Sequence, residues 1–180
     1  MYAIVTVLDL FPKLNESNLL KDLTFDCGLG DATQGPIPHF SWFGSEEIDL
    51  QGVQTCLNKF GSDNPPFEII TTGLGIFTGK QPVLYIPIVK TRKLLEYHES
   101  LWAEIRPYLI QSNLYYQPDR WMPHITLLYQ NIMPGQISCS VDSFINYSFD
   151  LTFPVDHLAI AYTDGIHSNM PYTVQLSGES

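Results

Sequence analysis

Two stretches of the chain repeat one order of residue types. Pro38-His39-Phe40-Ser41-Trp42-Phe43 and Pro123-His124-Ile125-Thr126-Leu127-Leu128-Tyr129 each run proline, histidine, an apolar residue, a hydroxyl residue and then further apolar residues. In a strand, side chains two apart point to the same face, so His39 lies beside Ser41 and His124 beside Thr126. Phe40 and Ile125 turn the other way, into a core. The repeat therefore calls for a fold with two equivalent strands whose polar faces look into one cleft.

The remaining pattern places these strands in similar surroundings. Met1 to Leu10 reads as a strand, and Pro12 opens a helix to about Phe25 that Gly28 and Gly30 stop. Ile37 to Gly44 is the first motif strand. Ser45, followed by Glu46 and Glu47, suits the start of a second helix that runs to Phe60 and stops at Gly61. Strand-like runs follow at Phe67 to Leu74 and Val83 to Val89, separated by Gly73, Gly75 and a turn at Thr78-Gly79-Lys80. From Thr91 to Ile110 the residues Leu94, Leu95, His98, Leu101, Trp102 and Ile105 share a helical stripe. Met122 to Tyr129 is the second motif strand, Gly135 to Tyr147 is weakly helical, and strands are expected at Phe149 to Phe153, His157 to Thr163 and Tyr172 to Leu176.

Interleaved strands and helices, with several strand pairs joined too tightly for a crossover helix, predict an α+β class with mainly antiparallel sheet. We expect one domain over residues 1–180, with two pseudo-symmetric lobes, flanking helices and a central groove. The symmetry of the pattern puts the division of the lobes near Pro87 to Arg92.

Composition narrows the function. A 180-residue chain that is 44% hydrophobic and 13% aromatic can bury a substantial core. A net charge of −10 is an unfavourable field for gripping a long polyanion, so a long nucleic acid is not expected as partner. A small anion can still be held, because a handful of hydrogen bonds satisfies one or two phosphates. Cys27, Cys56 and Cys139 are an odd number at wide spacing without a CxxC pair. That argues against a disulfide framework and a zinc knuckle, and in favour of buried or incidental thiols. The first residues carry no positive leader and no stretch is apolar for the length of a membrane span, so the expected address is cytoplasmic, with no membrane partner and a monomer as default.

The motif residues suit phosphate chemistry. Opening a 2′,3′-cyclic phosphate, or the reverse ligation, needs a base for the attacking oxygen and an acid for the leaving oxygen on opposite sides of phosphorus. Histidine suits both near neutral pH. The Ser41 and Thr126 hydroxyls would donate to the non-bridging oxygens. No carboxylate or further histidine recurs at ligand spacing beside the pair, so neither a metal nor another cofactor is expected.

On these motifs the chain resembles the two-histidine phosphoesterase superfamily, which includes the 2′-5′ RNA ligase-like proteins and the cyclic phosphodiesterases. The run Thr72-Gly73-Leu74-Gly75-Ile76-Phe77 followed by Pro82-Val83-Leu84-Tyr85-Ile86 is similar to the strand pair between that family's motifs. The resemblance implies His39 and His124 as catalytic residues, Ser41 and Thr126 as phosphate-binding hydroxyls, and a fold of two lobes about a groove. Serine stands in the first motif where threonine is commoner, which keeps the hydroxyl but loses the methyl that helps fix its rotamer.

Lys80, Arg120, Trp121 and Tyr129 are the candidates for substrate contact, with Tyr115 or Tyr116 as a further groove wall and Trp42 and Tyr85 as rings that could stack on a base. His98 is expected at a core edge, and His157 and His167 as structural or solvated residues. The activity implied is a metal-independent phosphodiesterase for a small nucleotide or an RNA end. A non-catalytic nucleotide-binding module, a 2′-5′ ligase-type activity and a hydrolase for another phosphoester are the alternatives.

Overall fold

The structure, a computed structural model, describes residues 1–10, 27–29, 37–129, 133–163 and 168–179. The helix expected from Pro12 to Phe25, its stop at Gly30, and His167 lie outside the described residues.

The strands are β1 (Tyr2–Val7), β2 (His39–Ile48), β3 (Phe67–Ile70), β4 (Gly75–Phe77), β5 (Val83–Pro87), β6 (Leu109–Ser112), β7 (His124–Leu128), β8 (Thr152–Val155), β9 (His157–Thr163) and β10 (Ser168–Gln175). The helices are α1 (Leu50–Asp63), α2 (Arg92–Ile105) and α3 (Pro134–Phe144). One sheet runs in the order β10-β9-β1-β2-β7-β5-β4, with β6 also pairing β2, and β3 pairs β8 separately. Every pairing of named strands is antiparallel, in keeping with the expected α+β class.

Two halves of the large sheet meet where β2 touches β7, at the single register pair Phe40↔Ile125. On one side stand β10, β9, β1 and β2, and on the other β7, β5 and β4. The halves are interleaved along the chain, because the late strand β9 pairs with β1. The expected division near Pro87 to Arg92 is therefore replaced by a seam between strands, which no single cut of the chain reproduces.

Alternation builds the core beneath this seam. Phe40, Phe43 and Trp42 from β2 and Ile125 from β7 are buried, and α2 covers them with Leu94, His98, Leu101 and Ile105. Ring contacts of Phe43 with His98 and of Trp42 with Phe67 and Trp121 fix that layer on the face opposite His39 and His124. Burying each such aromatic contributes on the order of 2 kcal/mol or more.

Several boundaries differ from expectation. Ser45 does not open a helix. β2 runs on to Ile48, paired with β6, and the Ser45 hydroxyl has its single proton within reach of two carbonyls, Ile110 at 2.5 Å and Glu47 at 2.7 Å. Asp49 caps α1 instead, its Oδ1 accepting from Gly52 N at 3.2 Å. α2 stops at Ile105 rather than Ile110, since Pro107 cannot continue the ladder; a 3₁₀ turn and β6 follow. The run from Phe67 to Leu74 splits, because Gly73 takes a positive φ of 54° and turns the chain from the β3–β8 pair into β4.

The cysteine reading is also corrected. Cys27 and Cys139 form a disulfide across 112 residues of sequence, and Cys56 is the free thiol. Spacing along the chain concealed it, since the fold brings the segment before β2 onto α3, where Gln136 Nε2 also donates to the Gly28 carbonyl at 2.9 Å. No helix among the described residues is long and apolar enough to cross a membrane.

Candidate active site

Antiparallel register brings the two motifs together. Phe40 and Ile125 are Cα partners, so one residue on either side sets His39 opposite Thr126 and Ser41 opposite His124. Phe40 and Ile125 are fully buried, and the four polar residues form a square on the other face, each partly exposed. β1 and β5 flank the square, with Val7 paired to His39, Tyr85 to Thr126 and Pro87 to His124.

The histidines are oriented by the same device. His39 Nδ1 lies 2.8 Å from the Ile37 carbonyl, and His124 Nδ1 lies 2.7 Å from the Met122 carbonyl. A carbonyl can only accept, so each Nδ1 carries a proton and each Nε2 is left for chemistry. The prolines explain the spacing. Pro38 and Pro123 favour an extended backbone at the residue before them, whose carbonyl the histidine two positions on then meets.

Around the pair the surroundings are unequal. Phe77 and Tyr85 stack on each other at 4.1 Å and stand edge-on to His124 at 5.0 and 5.1 Å. Burial lowers the His124 pKa below the ordinary histidine value, against the Met122 carbonyl, which raises it; the charge of nearby His39 lowers it further. Phe77 was not anticipated. Its signal was the alternation Gly75-Ile76-Phe77 facing Tyr85 across a hairpin, which puts both rings on the His124 side.

The structure distributes the other candidates. Trp121 is corrected from a substrate contact to a core residue: it is 1% exposed, stacks on His98 at 3.8 Å, and donates its indole N–H to the Ser41 carbonyl at 3.0 Å. Trp42 is buried beside it and donates to Thr6 Oγ1 at 3.0 Å, which excludes it from base stacking. Tyr85 is almost wholly buried as part of the His124 wall. Lys80 sits exposed past the end of β4, Arg120 exposed in the turn before β7, and Tyr129 exposed just beyond β7. Among the described residues no hydrogen bond or ion pair joins these three side chains to the four-residue square.

His98 goes further into the core than the edge position expected. Its Nε2 donates to the Trp42 carbonyl at 3.3 Å and its Nδ1 makes no hydrogen bond of good geometry, although the Tyr116 backbone is near enough to favour the proton. Burial dominates and lowers its pKa to about 4, so the ring is a neutral packing element. His157 is structural: Nδ1 bonds Asp156 Oδ1 at 2.6 Å, and Nε2 accepts from Val7 N at 3.2 Å, which steadies the strand end beside His39. A cavity of about 500 Å³ lies on the opposite face, lined by Leu74, Ile76, Leu84, Val141 and Phe149 among others. Its walls are mainly apolar, and Tyr147 adds a phenol to them. No cluster of three or more metal-ligating side chains occurs among the described residues.

Comparison with known proteins follows the same lines. A sequence profile described as the 2′-5′ RNA ligase superfamily matches residues 28–167, a span that holds both motif strands. The crystal structure of a Thermus thermophilus protein matches with a TM-score of 0.61 at 18% identity, covering 99% of each chain. That of a phosphoesterase matches at 0.56 and 14% identity, over 98% of this chain and 97% of the other. E. coli LigT complexed with 3′-AMP matches at 0.56 and 12% identity, over 98% of each chain. At these identities the likeness is one of fold. A search of curated protein sequences found no match.

Proposed function

The chain belongs to the 2′-5′ RNA ligase superfamily, and from that premise we propose that it is a metal-independent phosphodiesterase opening the 2′,3′-cyclic phosphate of a small nucleotide or an RNA end. The observation that carries this reading is the cross-strand square of His39, Ser41, His124 and Thr126 with both imidazoles held by Nδ1.

In the hydrolytic direction the more enclosed His124 is the base, because its surroundings favour the neutral ring. Its Nε2 takes a proton from water as the water oxygen bonds to phosphorus. The bond from phosphorus to one ribose oxygen breaks, and His39, protonated at Nε2, gives that oxygen its proton. The histidines end with protonation states exchanged, and solvent restores them. Ser41 and Thr126 donate to the non-bridging oxygens throughout, neutral donors that hold one phosphate without a strongly basic surface. With the 5′-hydroxyl of a second nucleotide attacking in place of water, the same base and acid in the same roles would form a phosphodiester, which is the ligase-type chemistry.

Two further facts support a small substrate. The net charge of −10 opposes a long polyanion. The E. coli relative of like fold was crystallised with 3′-AMP, a molecule of the size that opening a cyclic mononucleotide would leave.

The test is turnover of 2′,3′-cyclic mononucleotides, an oligonucleotide ending in a cyclic phosphate, and a 2′-5′ dinucleotide, all in EDTA. Cleavage of at least one in EDTA is expected, and the preferred member names the substrate class. Binding without turnover across the panel would replace this reading with that of a nucleotide-binding module.

A further inference from the structure

Strand pairing joins the two motifs at one place, the register pair Phe40↔Ile125. β6 takes up the same edge of β2 from Ser45 onward. Between these contacts, Ser41 to Gly44 have no strand partner on that edge among the described residues, so their backbone groups must be satisfied by other means. The register to β1 also skips here: Ile4 faces Phe43 and Val5 faces Ser41, which leaves Trp42 as an extra, bulged residue. The stretch of β2 that carries Ser41 is thus irregular on one edge and unpaired on the other.

Other groups supply the missing rungs. Trp121 donates its indole N–H to the Ser41 carbonyl at 3.0 Å. The His98 ring, stacked on that indole at 3.8 Å with 7° between the planes, holds the next carbonyl, that of Trp42, through Nε2 at 3.3 Å. The Gly44 carbonyl accepts from Asn113 N at 3.0 Å. Trp121 differs from the other two in where its backbone belongs, because it lies in the segment that leads into β7 and His124. That segment is anchored by its own bonds: Trp121 N donates to the Gln117 carbonyl at 2.8 Å, the Pro123 carbonyl accepts from Ile88 N at 3.0 Å just past β5, and the Met122 carbonyl holds His124 Nδ1. One side chain therefore carries a bond from the lead-in of the second motif to the backbone of the first. Trp121 is 1% exposed, so water does not compete for that bond.

We propose that Trp121 is a positioning residue, whose indole is a second clamp across the seam and holds the two motifs in the alignment that one phosphate must span. A single register pair leaves a pivot at Phe40 and Ile125; the bond from Trp121 to Ser41 removes that freedom. The gain is in rate, since displacing a reacting group by about 1 Å can cost on the order of a hundredfold. The proposal rests on the square of His39, Ser41, His124 and Thr126 being the phosphate site, as put forward above.

The experiment compares wild type with Trp121→Phe, with a chain carrying 3-benzothienylalanine in place of Trp121, and with Tyr97→Phe. The benzothienyl ring keeps the size of the indole and its stack on His98 and replaces only the N–H by sulfur, so it tests the bond even where the smaller phenylalanine unsettles the core. Tyr97→Phe is the control. It removes a bond of the same kind, from the phenol to the Pro65 carbonyl at 2.7 Å, in a buried ring whose neighbours are Phe60 and Phe67 rather than the motifs. NMR relaxation dispersion is read on the amides of His39 to Ser41 and His124 to Thr126, and kcat and KM are measured on 2′,3′-cyclic AMP. Both replacements of Trp121 should acquire microsecond-to-millisecond exchange at these amides. They should also lose kcat roughly threefold to tenfold, the worth of one hydrogen bond, with KM near that of wild type. Tyr97→Phe should lose thermal stability yet keep quiet motif amides and the wild-type kcat. Motif amides as quiet in both Trp121 replacements as in wild type overturn the proposal, whatever the turnover, and so does an equal loss of kcat in Tyr97→Phe. If the exchange appears only in the Trp121 replacements while wild type itself turns over no cyclic phosphate, the clamp stands and it is the phosphodiesterase reading that falls.

Discussion

His39→Ala and His124→Ala should each lower kcat/KM for the preferred cyclic phosphate by roughly two to four powers of ten, the contribution of a positioned acid or base. The loss should appear mainly in kcat, since the hydroxyls of Ser41 and Thr126 remain to bind the phosphate. The double variant should be little worse than the more damaged single one, because a base without its acid already forfeits the concerted transfer. Both variants should fold as wild type: His39 and His124 stand on the open face of the sheet, and the hydrogen bond each makes is to the carbonyl two residues before it. Steady-state kinetics alongside circular dichroism would check both statements. Turnover by either variant within a few fold of wild type would remove that histidine from the mechanism.

The second large effect is on stability. The Cys27–Cys139 bond closes a loop with a sequence separation of 112 residues. In the chain-entropy account, cross-linking a loop of ~100 residues restricts the unfolded chain by about 4.7 kcal/mol. For a domain of this size that corresponds to a melting temperature lower by roughly 10 to 20 °C on reduction. Cys139→Ser in the absence of reductant should show the same shift, and further addition of reductant should then change nothing. Melts that coincide for wild type and Cys139→Ser would contradict a bonded pair. Cys56 should not mimic the effect: its thiol hydrogen-bonds the Glu104 carbonyl at 3.5 Å, and burial raises its pKa, which makes it a poor nucleophile for exchange.

Much of the site was legible because its grammar is local. A period of two along a strand is enough to predict that His39 accompanies Ser41 and that Phe40 is buried, and the same holds for His124, Thr126 and Ile125. The helical stripe of Leu94, Leu101 and Ile105 was legible for the same reason. What escaped is non-local. That Ser45 extends β2 depends on β6, more than sixty residues later. That Trp121 supports the Ser41 strand from below, rather than facing substrate, depends on its stack with His98. Phe77 reaches the His124 side through Tyr85, a partner that only strand pairing reveals. The disulfide is the extreme case, because its two cysteines meet only once the sheet and α3 are assembled.

The central claim is that two histidines share the work on one phosphorus, His124 as base and His39 as acid in hydrolysis. The pH dependence of kcat/KM in EDTA tests it most directly. A base must be unprotonated to act, so activity falls as His124 gains its proton. Burial lowers that pKa, which places the acid limb below the ordinary histidine value of about 6.5. An alkaline limb should follow where the acid loses its proton, giving a bell. A profile with a single limb, or one flat across the range in which histidine titrates, would contradict the pair.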